Sequence, residues 1–316
     1  MPDNRAVTRK DVEAAYAVIA SHVRRTPVVM VEAADLGLDP GLHPIAFKLE
    51  QTQQAGSFKT RGAMNNILTA DIPAAGVVAA SGGNHGAALA YAAQTAGVPC
   101  TIFVFDFTPA AKADRIRGYG ATVIPVEGGF DRLMDVTHAH AKDTGALIIH
   151  AYDMEGTLAG QGTVALEFLE QAPVDTLMIA TGGGGLIGGI SAFVEHRARI
   201  ISVEPEGAPT LFNARAAGHP VPSPAGGLAA DSLGPGQVGD LMFPITQAFV
   251  DDAVLVTDAA IDAARRLLWE QLRLVVEPGG ATALAALISG VYTPGKDERV
   301  GVLLCGANTN VVQFPD

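Results

Sequence analysis

Residues 174–194, VDTLMIATGGGGLIGGISAFV, decide the fold class. The apolar run 175–180 has the composition of a buried strand, and four glycines, Gly182 to Gly185, separate it from a helix predicted over 185–197. A glycine turn between a strand and a helix aims several backbone N–H groups outward at the positive end of the helix dipole. In an open parallel sheet, such a turn lies at the carboxyl ends of the strands, where ligands bind. The segment therefore predicts a parallel α/β fold with an anion site.

The same alternation of strand and helix continues along the rest of the chain. Short β-branched runs alternate with Ala-rich amphipathic stretches, and this pattern predicts parallel sheets with helices on both faces. The stretch 218–246 is rich in Gly and Pro and is predicted to be an irregular surface excursion. The predicted strands are 44–50, 76–80, 100–105, 121–125, 147–149, 175–180, 199–204 and 299–305, and the predicted helices are 11–23, 58–70, 85–97, 109–118, 130–144, 157–171, 185–197, 209–217, 258–273 and 279–290.

Composition excludes several classes of protein. The chain has 316 residues, of which 48% are hydrophobic, so it is long enough for a sizeable core and for two domains. A net charge of −12 without a basic run argues against a nucleic-acid partner. The two cysteines, Cys100 and Cys305, cannot form a disulfide framework or a Cys-rich zinc site. There is no apolar signal core and no run of about 18 apolar residues, so we expect a cytoplasmic protein without membrane contact.

A second glycine-rich turn, SGGNHG at 81–86, also lies between a predicted strand and a predicted helix. Two anion sites suggest a ligand with two anionic ends, or a cofactor and a substrate. Gly183, Gly185 and Gly188 also match a dinucleotide fingerprint, with Glu204 placed 21 residues after Gly183. A plain phosphate-binding turn and a tight packing turn are the other interpretations, and the pattern does not separate the phosphate-binding turn from the dinucleotide site.

The segment 56–62, GSFKTRG, places Lys59 at the start of a predicted helix. A cation is unfavourable at the positive end of a helix dipole. The same field, together with desolvation, lowers the pKa of an amine and favours the neutral nucleophile that forms Schiff bases. Taken alone, a lysine is more often a solvated surface residue.

Five motifs appear in an order that is typical of one family. They are GSFKTRGA with Lys59, SGGNHG with Asn84, the run Gly182–Gly185, EPGGA at 277–281 and CGAN at 305–308, and GQGT at 160–163 adds to the match. The chain resembles the fold-type II pyridoxal-phosphate enzymes over nearly its whole length, in the branch of threonine/serine dehydratases and serine racemases. The resemblance implies a two-lobed, parallel-sheet-rich α/β fold similar to the tryptophan synthase β subunit. In it, residues 1–70 and 151–316 form a larger cofactor-binding lobe, and 71–150 form a smaller mobile lobe that closes over the substrate.

The resemblance also implies a role for each matching residue. Lys59 matches the lysine that binds pyridoxal 5'-phosphate covalently, Phe58 lies beside the cofactor ring, and Asn84 bonds the 3-hydroxyl oxygen. Cys305 faces the pyridine nitrogen. The phosphate is held by the turn Gly182, Gly183, Gly184, Gly185 and Leu186, and the substrate carboxylate is received by the loop residues Ser81, Gly82, Asn84 and His85.

The implied reaction is dehydration and deamination of a small β-hydroxy amino acid, L-threonine or L-serine, to a 2-oxo acid and ammonia. Gly82 stands where serine racemases have a serine that acts on the opposite face of the α-carbon, so we expect elimination to dominate. Near Glu204, Thr210 replaces an aspartate of the racemase metal site, so no metal is predicted. The residues at 54–55, Gln-Ala, replace a nucleotide-contacting Lys-Thr pair, so nucleotide activation is not expected.

Several alternatives stay open from the sequence. Within the same fold, they are a 3-hydroxyaspartate dehydratase and an amino-acid racemase. A non-catalytic carrier of pyridoxal phosphate is a further one. From another class, a NAD-dependent oxidoreductase would use Gly183, Gly185, Gly188 and Glu204. The expected partners are a small amino-acid substrate and a second copy of the chain in a homodimer, with no nucleic acid and no membrane.

Overall fold

The computed structural model of the protein describes residues 5–309. Within them, the strands are β1 (Val28–Val31), β2 (Ile45–Leu49), β3 (Val77–Ala80), β4 (Cys100–Phe105), β5 (Thr122–Val126), β6 (Leu147–Ile148), β7 (Thr176–Ala180), β8 (Arg199–Pro205), β9 (Asp252–Val256) and β10 (Val300–Leu304). The helices are α1 (Arg9–Ile19), α2 (Lys59–Thr69), α3 (Asn84–Ala96), α4 (Ala110–Gly118), α5 (Phe130–Thr144), α6 (Glu155–Gln171), α7 (Gly185–Val194), α8 (Thr210–Ala217), α9 (Ala230–Leu233), α10 (Phe243–Phe249), α11 (Asp258–Leu272) and α12 (Pro278–Ile288).

The strands form two sheets. The larger sheet has the order β1-β2-β10-β7-β8-β9, and every neighbouring pair is parallel except β1 with β2. The smaller sheet has the order β5-β4-β3-β6 and is parallel throughout. All five residues of β7 and of β10 are buried, as expected for central parallel strands that helices cover on both faces. The predicted α/β class with parallel sheets is confirmed.

Local sequence signals account for several element boundaries. Thr257 begins α11 by accepting a hydrogen bond from the Ala260 N–H to its side chain at 3.1 Å. Gly97 and Gly145 end α3 and α5 in the left-handed conformation that glycine adopts without a steric penalty. Two strands were not predicted, namely the edge strands β1 and β9, because a short strand at a sheet edge exposes part of its side chains and loses the continuous apolar pattern.

The prediction that 218–246 is a surface excursion is confirmed for 218–228, where every residue is exposed or half-buried, but it is wrong for the rest. This stretch contains the short helix α9, and both Ala229 and Met242 are fully buried. Met242 packs beneath the tetraglycine turn, where a Cβ on Gly184 would lie 2.1 Å from its Cε atom. Gly and Pro mark irregular backbone, but they do not by themselves mark exposure.

Helix α2 lies between the two sheets. It packs against α6, which shares a hydrophobic cluster with β7 and β10 of the larger sheet, and against α3, which packs on β3 and β4 of the smaller one. Met64 and Ile67 of α2 share a hydrophobic cluster with Leu89 and Ile102 of the smaller unit. The four strands of the smaller sheet all lie within 71–150, and the exact division into lobes stays a prediction. Lys59, the first residue of α2, therefore stands at the junction of the two layers.

In residues 5–309, no helix is long and apolar enough to cross a membrane.

Candidate active site

A cleft opens at the carboxyl ends of the central strands β7 and β10. All residues that the resemblance assigned to the cofactor line it, namely Phe58, Lys59, Asn84, Gly182, Gly183, Gly184, Gly185, Leu186 and Cys305. Eight further lining residues had no role assigned from the sequence, namely Tyr152, Ala180, Thr181, Ile187, Ser232, Leu233, Pro235 and Glu277.

The tetraglycine turn is packed so closely that only glycine fits. A Cβ on Gly183 would lie 2.5 Å from the Tyr152 ring, and one on Gly185 would lie 2.8 Å from the Tyr152 Cα atom. Gly184 has a φ of 87°, which favours glycine, and it caps the N-terminus of α7. The first N–H groups of a helix have no intrahelical acceptor, so this turn is a backbone cradle that suits a phosphate group.

Lys59 provides the nucleophilic amine of the cleft. Its Nζ donates a hydrogen bond to the Ala151 carbonyl at 2.7 Å and lies 5.3 Å from the centroid of the Phe58 ring. Burial lowers the pKa of Lys59 to about 8, and the Glu277 carboxyl group opposes this shift. The lowered pKa increases the share of the neutral amine, which is the form that captures an aldehyde.

Glu277 is a charged cleft residue to which sequence reasoning gave no role. Asn84 Nδ2 donates to Glu277 Oε1 at 2.5 Å, and Glu277 directly precedes α12. Burial raises the pKa of Glu277 to about 7, and the hydrogen bond from Asn84 opposes the shift. The signal was available as the acidic residue of the EPGGA motif. That motif, however, does not indicate that the carboxyl group meets the Asn84 side chain.

Cys305 follows β10 at the floor of the cleft. Its side chain is buried, and Sγ donates to the Gly279 carbonyl at 3.5 Å. Burial raises the pKa of the Cys305 thiol far above its usual range. The thiol is therefore neutral, and its hydrogen is directed to a backbone oxygen.

The predicted carboxylate loop is only partly directed at the cleft. Ser81 Oγ accepts a hydrogen bond from the Gly83 N–H at 3.3 Å, and Gly82 lines a smaller cavity beside the main cleft. The His85 ring is buried and its Nε2 bonds the Ile149 carbonyl at 2.8 Å, and burial lowers the His85 pKa to about 3. The side chain of His85 thus points to the backbone, and its substrate-binding role stays a prediction that rests on the loop N–H groups.

Glu204 is a helix cap and does not take part in dinucleotide binding. Its Oε1 accepts from the Leu211 N–H at 2.8 Å and its Oε2 accepts from the Phe212 N–H at 2.7 Å, at the start of α8. Thr210 Oγ1 donates to it as well, at 3.0 Å. Because both carboxylate oxygens are occupied, the interpretation of Glu204 as a ribose ligand is wrong. Between residues 5 and 309, no group of three His, Cys, Asp or Glu side chains could hold a metal ion.

A buried ionic network anchors α2 two residues after Lys59. The Arg61 guanidinium donates to Glu50 Oε1 and to Glu167 Oε2, each at 2.8 Å. Lys48 Nζ donates to the same Glu167 oxygen at 2.7 Å. The four side chains are 0% to 1% exposed. Partners that lie 106 positions apart, as Arg61 and Glu167 do, give no local sequence signal.

Comparison with known proteins gives matches over nearly the whole chain. The family model described as pyridoxal-phosphate dependent enzyme matches residues 19–306. The serine racemase of Oryza sativa subsp. indica is 36% identical over 94% of this chain and 89% of its own length. The phenylserine dehydratase of Ralstonia pickettii is 38% identical over 92% of this chain and 90% of its own. The crystal structure of a threonine deaminase from T.th. has a TM-score of 0.89 and 33% identity, covering 97% of this chain and 100% of that one.

Proposed function

The chain belongs to the family of pyridoxal-phosphate dependent enzymes, and on that premise we propose that it dehydrates and deaminates a small β-hydroxy amino acid, L-threonine or L-serine, to a 2-oxo acid and ammonia. The observation that carries the choice of elimination is the glycine at position 82, against which Thr108 packs. A Cβ on Gly82 would lie 2.8 Å from both Cγ2 and Oγ1 of Thr108, so a larger residue has no free space there.

The residues of the cleft fit the cofactor. The glycine turn 182–185 would hold its phosphate, the Asn84 amide its ring hydroxyl, and Lys59 its aldehyde carbon. When bound, pyridoxal phosphate supplies a conjugated ring that accepts the electron pair left on the substrate α-carbon. The prediction of this cofactor from the sequence is confirmed by the family.

Lys59 is the residue we propose as the base. Its pKa of about 8 lets the amine exist in the neutral form that accepts a proton from the substrate α-carbon. The Ala151 carbonyl accepts one hydrogen of Nζ at 2.7 Å and holds the amine near the N-terminus of α2. The remaining lone pair of the neutral amine is therefore available to the cleft.

Two features in and beside the cleft favour loss of the β-hydroxyl group over racemisation. Racemisation needs an acid on the face of the α-carbon opposite the lysine, and Gly82 carries no side chain to supply one. The neutral Cys305 thiol directs its hydrogen to Gly279 and leaves only a weak acceptor for a ring nitrogen, which limits charge withdrawal into the ring. With the cofactor bound, Lys59 would take the α-proton and return it to the β-hydroxyl group, which would leave as water. The phenylserine dehydratase and threonine deaminase relatives support this outcome.

Racemisation is the second candidate, because serine racemases are among the similar proteins. The test supplies the purified protein and cofactor with L-threonine or L-serine and follows the 2-oxo acid, ammonia and the chirality of the remaining amino acid. Elimination predicts 2-oxo acid and ammonia in equal amounts and little D-enantiomer. Accumulation of D-serine without 2-oxo acid would contradict the proposal. A parallel assay with 3-hydroxyaspartate distinguishes a dehydratase for a dicarboxylic substrate from one for threonine or serine. The Lys59→Ala variant is the inactive control.

A further inference from the structure

A line of hydrogen-bonded side chains joins the exposed helix α4 to the cleft. Arg115 donates to Asn308 Oδ1, and Asn308 Nδ2 donates to Asn84 Oδ1. Asn84 Nδ2 in turn donates to Glu277 Oε1 at 2.5 Å. The two amides therefore form a relay whose outer end is an arginine and whose inner end faces the cofactor site.

The chemistry of the outer end sets the direction of this relay. A guanidinium group has only donors, so it can bond only the oxygen end of the Asn308 amide. The Ala55 carbonyl has only acceptor lone pairs, and it accepts from Asn308 Nδ2 at 3.2 Å. Both contacts hold the Asn308 nitrogen inward. An inward nitrogen can meet only the oxygen of Asn84, and this turns the NH₂ group of Asn84 toward the cleft.

We propose that Arg115 is a positioning residue that fixes which end of the Asn84 amide faces the cofactor. The NH₂ group of Asn84 has two hydrogens, of which one bonds Glu277 and the other is left for the ring oxygen of pyridoxal phosphate. A reversed amide would bring its oxygen against that ring oxygen and would lose the bond. The inference rests on the cofactor site and not on the choice of substrate made above.

Gly56 provides an independent observation about this relay, because the backbone at Gly56 passes so close to Arg115 and Asn308 that a side chain would not fit. A Cβ on Gly56 would lie 2.8 Å from Asn308 Oδ1 and 3.2 Å from Arg115 Nη2, and Gly56 has a φ of 77°. The glycine that opens the GSFKTRG segment is thus required where the backbone passes the contact between Arg115 and Asn308. The segment that supplies Lys59 therefore packs, through Gly56, against the relay that orients Asn84.

The protonation of Glu277 gives this role a pH signature. Ionised Glu277 only accepts hydrogen bonds and therefore holds the Asn84 nitrogen by itself. Protonated Glu277 can also donate and would tolerate a reversed amide. Because burial raises the pKa of Glu277 to about 7, Arg115 matters most below that pH. The other charged and titratable groups that act on Glu277 are Asp231, Lys112, Lys59 and Cys305.

The experiment measures the dissociation constant of pyridoxal phosphate from the apoprotein at about pH 6 and about pH 8 by fluorescence quenching. Arg115→Ala is expected to weaken binding about tenfold at the lower pH, the value of one hydrogen bond to a charged group, and clearly less at the higher pH. Arg115→Lys keeps a donor-only group and should restore most of the affinity. Arg117→Ala is the matched control, because Arg117 lies on the same helix, is 51% exposed and pairs with Asp114 at 2.7 Å. It should change the constant less than about twofold.

Asn308→Asp tests the direction of the relay without removing the partner of Arg115. Aspartate still accepts from the arginine but cannot donate to Asn84, so cofactor affinity should fall although the ion pair persists. Thermal melting of the apoproteins identifies any variant that loses its fold. Arg115→Ala binding that equals the Arg117→Ala control at both pH values would overturn the proposal. An equal loss at both pH values that lysine does not rescue would overturn it as well. Cofactor affinity is read without substrate, so the outcome is separate from that of the turnover assay.

Discussion

Replacing Arg61 by methionine tests how α2 is held in place. Arg61 donates four hydrogen bonds to Glu50 and Glu167, from Nε at 2.9 Å, from Nη1 at 2.9 Å and from Nη2 at 2.8 Å twice. With Lys48 the site holds two positive and two negative charges, and Arg61 and Glu50 are both 0% exposed. Methionine fills a similar volume but leaves two buried carboxylates facing one lysine. Removing one partner of a buried ion pair in this way costs about 3–5 kcal/mol.

The assay is denaturant unfolding of the wild type and the Arg61→Met variant, followed by far-UV circular dichroism and by the visible absorbance of the bound cofactor. We expect the free energy of unfolding to fall by about 3–5 kcal/mol and the cofactor signal to be lost at the lower denaturant concentration, because Lys59 begins the same helix. Arg266→Met is the control: Arg266 pairs with Asp262 at 2.7 Å, but its side chain is 71% exposed. A loss in the Arg61 variant no larger than in this control would refute the reasoning.

The remaining predictions address the cofactor, the substrate and pH. The rate at which the apoprotein captures pyridoxal phosphate should rise with pH up to about 8 and then level off. The reason is that the pKa of Lys59 is lowered to about 8 and only the neutral amine reacts. A rate that shows no such inflection would contradict this prediction. Gly184→Ala should weaken cofactor binding. The control is Gly218→Ala, which should lose stability only, because Gly218 has a similar φ of 78° but no described atom within 4 Å of its Cβ. Equal cofactor affinities of the two variants would speak against the glycine cradle. Gly82→Ser should lower turnover, and adding Thr108→Ala should increase the D-enantiomer formed per 2-oxo acid; an unchanged ratio would remove the role given to position 82. The free energy of unfolding should fall in acid as Glu167 is protonated. Burial raises the pKa of Glu167, but the hydrogen bonds and charges of Arg61 and Lys48 lower it overall. The stabilisation by Glu167 is therefore present above its pKa in the unfolded chain and is lost as pH falls through its pKa in the folded protein. An acid transition unaffected by Glu167→Gln would contradict this assignment.

The parts of the fold that could be predicted from the sequence are those whose signal is local. The apolar run before Gly182 and the four glycines after it define a strand, a turn and a helix without reference to the rest of the chain. The position of Lys59 at the start of a helix is equally local, since the dipole argument needs only the residues beside it. These two features were enough to predict an anion site and a nucleophilic amine, and the structure places both in one cleft.

What could not be predicted depends on contacts between distant positions. Ser232 and Leu233 line the cleft from a stretch whose composition indicates only irregular backbone. Glu277 meets Asn84 across 193 positions, and no periodicity links the two. The His85 ring turns to the Ile149 carbonyl because a buried imidazole needs a partner, and the sequence does not say which partner is near.

The position of the buried network also bears on how the nucleophile works. A lysine at the positive end of a helix dipole is unfavourable, and burying its amine adds to the cost. Burial is the effect that lowers the pKa of Lys59, so the helix must be fixed firmly enough that the amine cannot escape to solvent. Arg61 is placed two residues later on α2 and is bonded to Glu50, directly after β2, and to Glu167 on α6. The helix start is thereby fixed from one side by charges, while the Ala151 carbonyl holds the amine from the other. A Glu167→Gln variant that loosens α2 should therefore raise the pKa of Lys59 toward that of a solvated lysine. If the rate of pyridoxal phosphate capture by this variant levels off at the same pH as in the wild type, the buried network does not control the pKa of Lys59.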